Sequence, residues 1–144
     1  MIGMIVSGHG DFASGLQVSA KMIAGDSEYI KYVNFEDGMS TETLAEKLNE
    51  AYNALSDCSG IVVLSDLPGG SPFKTAVECA FTHPDKKIEV LAGTNLPMIV
   101  TGVTMIEIED DPKALAEELM EVAKECIVRF EMVERVEEEE EDGI

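Results

Sequence analysis

The sequence predicts an α/β protein built on one mostly parallel sheet with helices on both faces. Short apolar runs alternate with longer amphipathic segments four times along the chain, which is the order of repeated strand–helix units. Two of the runs, Ile2–Ser7 and Gly60–Ser65, are almost continuously apolar, as buried parallel strands are. The length of 144 residues suits a single domain with a substantial core.

The first half of the chain contains two strands and two helices. After Ile2–Ser7, apolar residues recur at helical spacing until Gly25 closes the segment, and Tyr29–Phe35 is rich in the β-branched and aromatic residues of a strand. Ser40 or Thr41 can cap the next helix. The residues expected to face the core on the two helices are Phe12, Leu16, Ser19, Ala20 and Ile23, then Leu44, Leu48, Ala51, Tyr52 and Leu55.

The second half repeats this order. After Gly60–Ser65, Ser71 is predicted as the N-cap and Pro72 as the first residue of a helix. Ile88–Ala92 is predicted as the fourth strand, and Pro97 can open another helix. The expected core face of the third helix is Phe73, Ala76, Val77 and Ala80.

The C-terminal part is less regular. The residue types of Val103–Ile108 favour a strand, whereas the upstream proline favours a continuing helix, so both remain open. Asp111-Pro112 starts an amphipathic helix whose apolar residues are Leu115, Leu119, Val122 and Cys126. Apolar residues then alternate with charged ones, as in a half-buried strand: Val128, Phe130 and Met132. We expect one domain over residues 1–133 and a disordered acidic tail over residues 134–144.

The charge balance excludes some classes of partner. Twenty-nine acidic residues stand against 10 basic ones, a net charge of −19, so nucleic acid and anionic membrane surfaces are not expected as partners. Three cysteines without a C-x-x-C pair indicate a reducing compartment, and the apolar start lacks the basic flank of a signal peptide. We expect a cytoplasmic protein. The two histidines lack metal-ligand spacing to another His or to a Cys, so no metal and no cofactor are expected.

The two most unusual loops follow the first and third predicted strands. They are Gly8-His9-Gly10-Asp11 and Asp66–Ser71. Ligands of open parallel sheets collect at the carboxyl ends of the strands, where the strand order reverses. In the common order 2-1-3-4 this point lies between strands one and three, so we expect His9 and Asp66 to be neighbours.

This pair indicates a particular chemistry. An Asp that accepts one imidazole N–H fixes the tautomer and leaves the other nitrogen with an outward lone pair, as a nucleophile requires. Gly8 and Gly10 remove side-chain bulk beside His9, so we expect them to let a second large molecule approach it. Gly69-Gly70-Ser71 offers N–H groups and a hydroxyl to an anion at a helix start. Together they indicate phosphoryl transfer through a phosphohistidine. Taken singly, His9 could merely cap a turn and Asp66 a helix.

A nucleotide-binding module is an open alternative. Gly8-x-Gly10-x-x-Ala13 matches the loose dinucleotide fingerprint, with Glu36 or Asp37 after the second strand. The chain is about half the size of a two-part dinucleotide fold, and a lone glycine pattern is a weak signal.

At these residues the sequence resembles the enzyme IIA domain of the mannose class of the bacterial sugar phosphotransferase system. Several separated motifs agree in order over roughly residues 1 to 130. They are Ser7-Gly8-His9-Gly10 with Ala13 and Leu16, Met22-Ile23-Ala24-Gly25, Asp66 to Phe73, and Ala92 to Met98.

The resemblance implies a phosphocarrier. His9 would accept a phosphoryl group from the phosphohistidine of the small carrier HPr and pass it to a IIB component, which phosphorylates a sugar entering through the IIC/IID permease. Asp66 matches the family's partner of the active histidine. We expect the phosphoryl group to be bound by Gly10, Gly69, Gly70 and Ser71.

The resemblance also implies a flavodoxin-like strand order of 2-1-3-4. Members form homodimers in which a C-terminal antiparallel strand can cross to the neighbouring subunit, and the alternating segment around Phe130 is the candidate for it. A chain that stops after this segment is expected to be a stand-alone IIA with its IIB on another polypeptide. The related phosphotransfer subunit of dihydroxyacetone kinase is the second alternative, and a regulatory module is the third.

Overall fold

The computed structural model describes residues 1–134 and alternates strands with helices. The strands are β1, Ile2–His9; β2, Ile30–Phe35; β3, Gly60–Ser65; and β4, Lys87–Leu91. The helices are α1, Phe12–Ala24; α2, Thr41–Ala54; α3, Ser71–Ala80; α4, Leu96–Met105; and α5, Pro112–Glu125. The four strands pair in parallel in the order β2-β1-β3-β4. The predicted fold class and strand order are confirmed.

The sheet separates two apolar cores. Alternate residues of the central strands point to opposite faces, so Met4 and Val62 pack on one side while Ile5 and Val63 pack on the other. Helices α1, α4 and α5 cover the first face, and α2 and α3 cover the second. The buried Tyr52 hydroxyl donates to the Ala76 carbonyl at 3.0 Å and so ties α2 to α3.

Three of the helices begin with a side-chain cap. Ser40 Oγ accepts the Thr43 N–H at 3.1 Å, and Asn95 and Asp111 cap α4 and α5 in the same way. Helix α3 differs, because its N-cap is Gly70 in an extended conformation and no side chain caps it. The prediction of Ser71 as N-cap is therefore wrong: Ser71 is already the first helical residue.

For the segment Val103–Ile108 the sequence left helix and strand open. The structure shows helix followed by a turn, since α4 runs to Met105. Burial explains why its strand-forming residue types do not prevail. The buried residues of this region follow helical spacing on the core of the first face: Met98, Ile99, Gly102 and Ile106.

Two residues predicted to lie in the core are exposed, and one predicted strand does not form within the described residues. Ile23 is 62% exposed and Cys126 is exposed, because both lie at the last turn or the cap of their helix. Residues 127–134 have no regular secondary structure, and Val128, Phe130 and Met132 are 80–85% exposed, so the C-terminal strand is not confirmed in the single chain. The acidic run 137–142 lies outside the described residues.

Candidate active site

The site is built where the strand order reverses. His9 is the last residue of β1, and Asp66 directly follows β3, the strand beside it. His9 Nδ1 lies 2.7 Å from Asp66 Oδ2, and the main-chain N–H of His9 donates to the same oxygen at 2.8 Å. The prediction that these residues are neighbours is confirmed.

The Asp66 carboxylate fixes the state of the imidazole. Its side chain is 11% exposed, against 46% for His9, and its Oδ1 accepts the Leu67 N–H at 2.8 Å. Burial by itself would raise the pKa of Asp66, but the hydrogen bonds from His9 and Leu67 outweigh it and hold that pKa below its usual value. Because an ionised carboxylate can only accept, His9 Nδ1 carries the proton in the neutral imidazole. The lone pair is then on Nε2.

The N-terminus of α3 lies beside the free edge of this ring. A Cβ placed on Gly70 would lie 3.1 Å from His9 Cε1, the ring carbon between Nδ1 and Nε2. Gly69 turns the chain with φ of +76°, a conformation that favours glycine. Within residues 1–134 the main-chain amides of Ser71 and Phe73 have no acceptor, and Pro72 between them has no N–H. Unpaired amides at a helix N-terminus form an anion site.

The two glycines beside His9 have different roles. Gly8 is buried, and a Cβ there would overlap the Phe12 side chain, so its missing side chain makes room for α1 rather than for an approaching molecule. That part of the expectation is wrong. Gly10 is exposed with φ of +60°, and its N–H donates to the Phe35 carbonyl at 2.8 Å. Gly10 therefore offers clearance beside His9, while its amide is already bonded.

Phe35 is a site residue that the sequence reasoning missed. Its ring centroid lies 5.7 Å from that of His9, and the two planes meet at 68° in an edge-to-face arrangement. A groove of about 380 Å³ runs beside the pair, lined also by Gly10, Glu36, Asp37, Gly38 and Met39. Phe35 closes β2, which pairs with β1, and that strand-end position is the signal that could have found it.

The loop after β4 is hydrogen-bonded to the main chain at Asp66 and at Ser65 before it. Gly93 N–H donates to the Asp66 carbonyl at 3.0 Å, and the Thr94 hydroxyl donates to the Ser65 carbonyl at 2.7 Å. Ser65 Oγ in turn donates to the Leu91 carbonyl at 2.7 Å. These bonds join the ends of β3 and β4, so the carboxylate stands on a rigid base.

The geometry does not favour the nucleotide alternative. In a dinucleotide site the amides at the glycine loop and helix start face the phosphates. Here the Gly10 amide is bonded to Phe35, and the Ser14 amide donates to Asn34 Oδ1 at 3.0 Å. Among residues 1–134 there is also no group of three or more His, Cys, Asp or Glu placed to hold a metal ion. His83 lies beyond the far end of α3, half-buried against Tyr52.

Known proteins are similar to this chain in sequence. A family model described as "PTS system fructose IIA component", in which PTS denotes the sugar phosphotransferase system, matches residues 3–122. The fructose-specific EIIA component of Bacillus subtilis is 30% identical over 131 residues, covering 87% of this chain and 88% of that protein. The mannose-specific EIIAB component of Escherichia coli is 37% identical over 112 residues, which are 77% of this chain and 33% of that longer protein.

A solved structure is similar to this chain in fold. An EIIA component from Streptococcus agalactiae superposes with a TM-score of 0.81 at 34% identity, covering 90% of this chain and 97% of that one. No helix within residues 1–134 is long and apolar enough to cross a membrane. With a family match over most of its length, the chain belongs to the EIIA components of the sugar phosphotransferase system, in their mannose, fructose and sorbose class.

Proposed function

We propose that this protein is a phosphocarrier that accepts a phosphoryl group from phospho-HPr on His9 and passes it to a separate IIB component for phosphorylation-coupled sugar uptake. Membership of the family supports the phosphotransferase class. The single observation that supports the residue assignment is the His9–Asp66 pair, which leaves Nε2 unprotonated on a ring whose Cε1 atom lies close to Gly70, the N-cap of α3.

The chemical step follows from this arrangement. The Nε2 lone pair attacks phosphorus, an N–P bond forms, and the N–P bond of the donor phosphohistidine breaks with its electron pair returning to the donor imidazole. The imidazole of His9 gains positive charge as the bond forms, and the Asp66 carboxylate at 2.7 Å stabilises it. The amides of Ser71 and Phe73, with the Ser71 hydroxyl, bind the phosphoryl oxygens. Onward transfer to the IIB component is the same step in reverse.

The charge of the chain suits protein partners of opposite charge. A net charge of −19 steers carriers with basic surfaces towards the protein and disfavours nucleic acid. We place the protein in the cytoplasm, where HPr, the IIB component and the inner face of the IIC/IID permease complex would meet. Cys58, Cys79 and Cys126 are all free thiols, which is consistent with a reducing compartment.

We further propose a homodimer in which residues 127–133 of one copy pair with the edge strand β4 of the other. Among residues 1–134, strand β4 has a neighbour on one side only, and the C-terminal segment exposes five large apolar side chains: Ile127, Val128, Phe130, Met132 and Val133. Sedimentation of the full chain should show a dimer, and a Phe130→Glu, Met132→Glu variant should sediment as a monomer. A wild-type chain that remains monomeric at micromolar concentration would refute the pairing.

One reconstitution tests the carrier role. The protein is incubated with phosphoenolpyruvate, enzyme I and HPr, and its intact mass is measured at neutral and at acidic pH. We expect one phosphoryl group that is lost in acid and is not gained by His9→Ala, whereas His83→Ala, the matched control, is modified as the wild type is. Failure of the wild type to gain the group from a competent carrier refutes the proposal.

The acceptor is tested separately. Addition of a purified IIB component to the phosphorylated protein should remove the phosphoryl group within seconds to minutes. Removal by a dihydroxyacetone kinase subunit and not by any IIB component would favour the related phosphotransfer subunit instead.

A further inference from the structure

We propose that Phe35 is a positioning residue that fixes the plane of the His9 imidazole. This inference rests on the proposed role of His9 and adds a third residue to the His9–Asp66 pair. The observation behind it is the edge-to-face contact between the two rings, with centroids 5.7 Å apart and planes at 68°. Such contacts have a preferred geometry and therefore orient the rings that make them.

The Phe35 ring is itself held by the sheet. In the parallel register of β1 and β2, Phe35 is the partner of His9, and the Gly10 N–H donates to the Phe35 carbonyl at 2.8 Å. The strand pairing that places the His9 main chain therefore also places Phe35. A contact from a strand is more precise than a contact from a loop.

A bond at one ring atom leaves the imidazole plane undetermined. Asp66 fixes Nδ1, and the Gly70 main chain lies close to Cε1. The ring can still tilt about the hydrogen bond at Nδ1. Its side chain is 46% exposed, so protein atoms do not enclose it on all sides. The Phe35 ring restricts that tilt from the side of the groove. With all three contacts in place, Nε2 has one direction, which the in-line approach of a phosphorus atom requires.

Phe35 also packs against the core between the sheet and helices α2 and α3, so a loss of stability alone would prove nothing. The test therefore separates the maximal rate from affinity. Phe35→Leu keeps an apolar side chain but removes the flat ring, and Phe35→Tyr keeps the ring. Tyr32→Leu is the control, because it removes an aromatic ring from the same strand away from the groove beside His9.

Single-turnover transfer from phospho-HPr is measured over a range of donor concentrations. We expect Phe35→Leu to lower the maximal rate about tenfold or more, since small misplacements of reacting groups are costly, with a half-saturating concentration within about twofold of the wild type. Phe35→Tyr and Tyr32→Leu should retain the wild-type maximal rate. A raised half-saturating concentration with an unchanged maximal rate would instead make Phe35 a docking residue, and would overturn the proposal.

A second measurement does not depend on the carrier role. Carbon-13 relaxation of the His9 ring reports its order directly, and we expect lower order in Phe35→Leu while the Nδ1–H bond to Asp66 persists. Equal order in the variant and the wild type would overturn the proposal even if phosphorylation failed. If Phe35→Leu does not fold, Phe35→Met serves in both measurements, because the unbranched Met side chain fills irregular gaps.

Discussion

Two glycine-containing loops lie side by side at the carboxyl end of the sheet, and they differ in which of their main-chain amides are bonded. Around β1 and the start of α1, the amides of His9, Gly10 and Ser14 are bonded to Asp66, Phe35 and Asn34. At the start of α3 the amides of Ser71 and Phe73 have no acceptor within the described residues.

The difference shows that a glycine-rich loop between a strand and a helix is not by itself an anion site. Bonded amides hold the first loop in place, and with it the His9 side chain. Unbonded amides make the second loop available to a group that this side chain could carry. Four changes test that division, in order of decreasing expected effect.

Removal of the Asp66 charge, which orients His9, should have the largest effect on the transfer rate. In Asp66→Asn the amide can donate to Nδ1 and so favours the wrong imidazole tautomer, and we expect the transfer rate to fall about 10²- to 10⁴-fold. The rate is measured in single turnover from phospho-HPr, with circular dichroism to show that the fold persists. Transfer at the wild-type rate in a folded variant would remove Asp66 from the mechanism.

Acidification should act through the imidazole and not through its partner. Imidazolium has no lone pair to attack phosphorus, so we expect the rate to fall from pH 8 to pH 5. The hydrogen bonds from His9 and Leu67 hold the pKa of Asp66 below its usual value, so its carboxylate stays ionised in that range. A rate that is flat from pH 8 to pH 5 would contradict His9 as the nucleophile.

The same lowered pKa predicts a separate effect on stability. A carboxyl group whose pKa is lower in the folded state stabilises the fold above its unfolded pKa of about 3.9, and that contribution disappears as the pH falls through the folded value. Urea unfolding of the wild type should therefore lose more stability than that of Asp66→Asn between pH 5 and pH 3. Parallel losses would show that the pKa is not lowered.

Crowding of the imidazole should have an intermediate effect. The Cβ of Gly70→Ala would lie 3.1 Å from His9 Cε1, so the ring or the loop must shift, and we expect about a tenfold slower transfer. Gly15→Ala on α1 is the matched control, because apart from the neighbouring residues and the backbone of its own helix nothing lies within 4 Å of its Cβ. It should leave the rate unchanged and raise the stability by about 0.5–1 kcal/mol, as Ala does in helix interiors. Equal rates in both variants would contradict the close packing.

Removal of the Ser71 hydroxyl should have the smallest effect. The main-chain amides of Ser71 and Phe73 remain in Ser71→Ala, so we expect only a few-fold faster hydrolysis of the phosphorylated protein, about the value of one hydrogen bond. The half-life at neutral pH is measured by intact mass. A loss of phosphorylation as large as in Asp66→Asn would show that the hydroxyl, and not the amides, binds the phosphoryl group.

Much of the fold was predictable because periodicity and burial agree in most elements. The strand Gly60–Ser65 was predicted with its observed bounds, and strand order placed His9 and Asp66 together. The N-cap of α3 was not predictable, because Gly70 and Ser71 are both acceptable caps and only the backbone conformation decides. The segment Val103–Ile108 was ambiguous because residue type and core burial favour different structures.

Contacts between the side chains of different elements could not be predicted in the same way. The ring of Phe35 contacts His9 from the adjacent strand β2. Its strand-end position places it at the same end of the sheet as His9, but does not show that the two rings meet. The expectation that Gly8 gives an approaching molecule access to His9 is wrong, because the role of Gly8 depends on where the Phe12 side chain packs. The alternating segment at Phe130 satisfies the period of a strand, but a strand also needs an edge to pair with, and within the described residues it pairs with none.

One oxygen of Asp66 holds both the main chain and the ring of His9. The carboxylate therefore ties the imidazole to the backbone beneath it, and a change of ring rotamer would break a bond to the carboxylate. A group that arrives at Nε2 and later leaves it meets the same ring orientation both times. Receipt and donation then need little reorganisation of the site. In the proposed carrier role, the same ring orientation would serve both transfers.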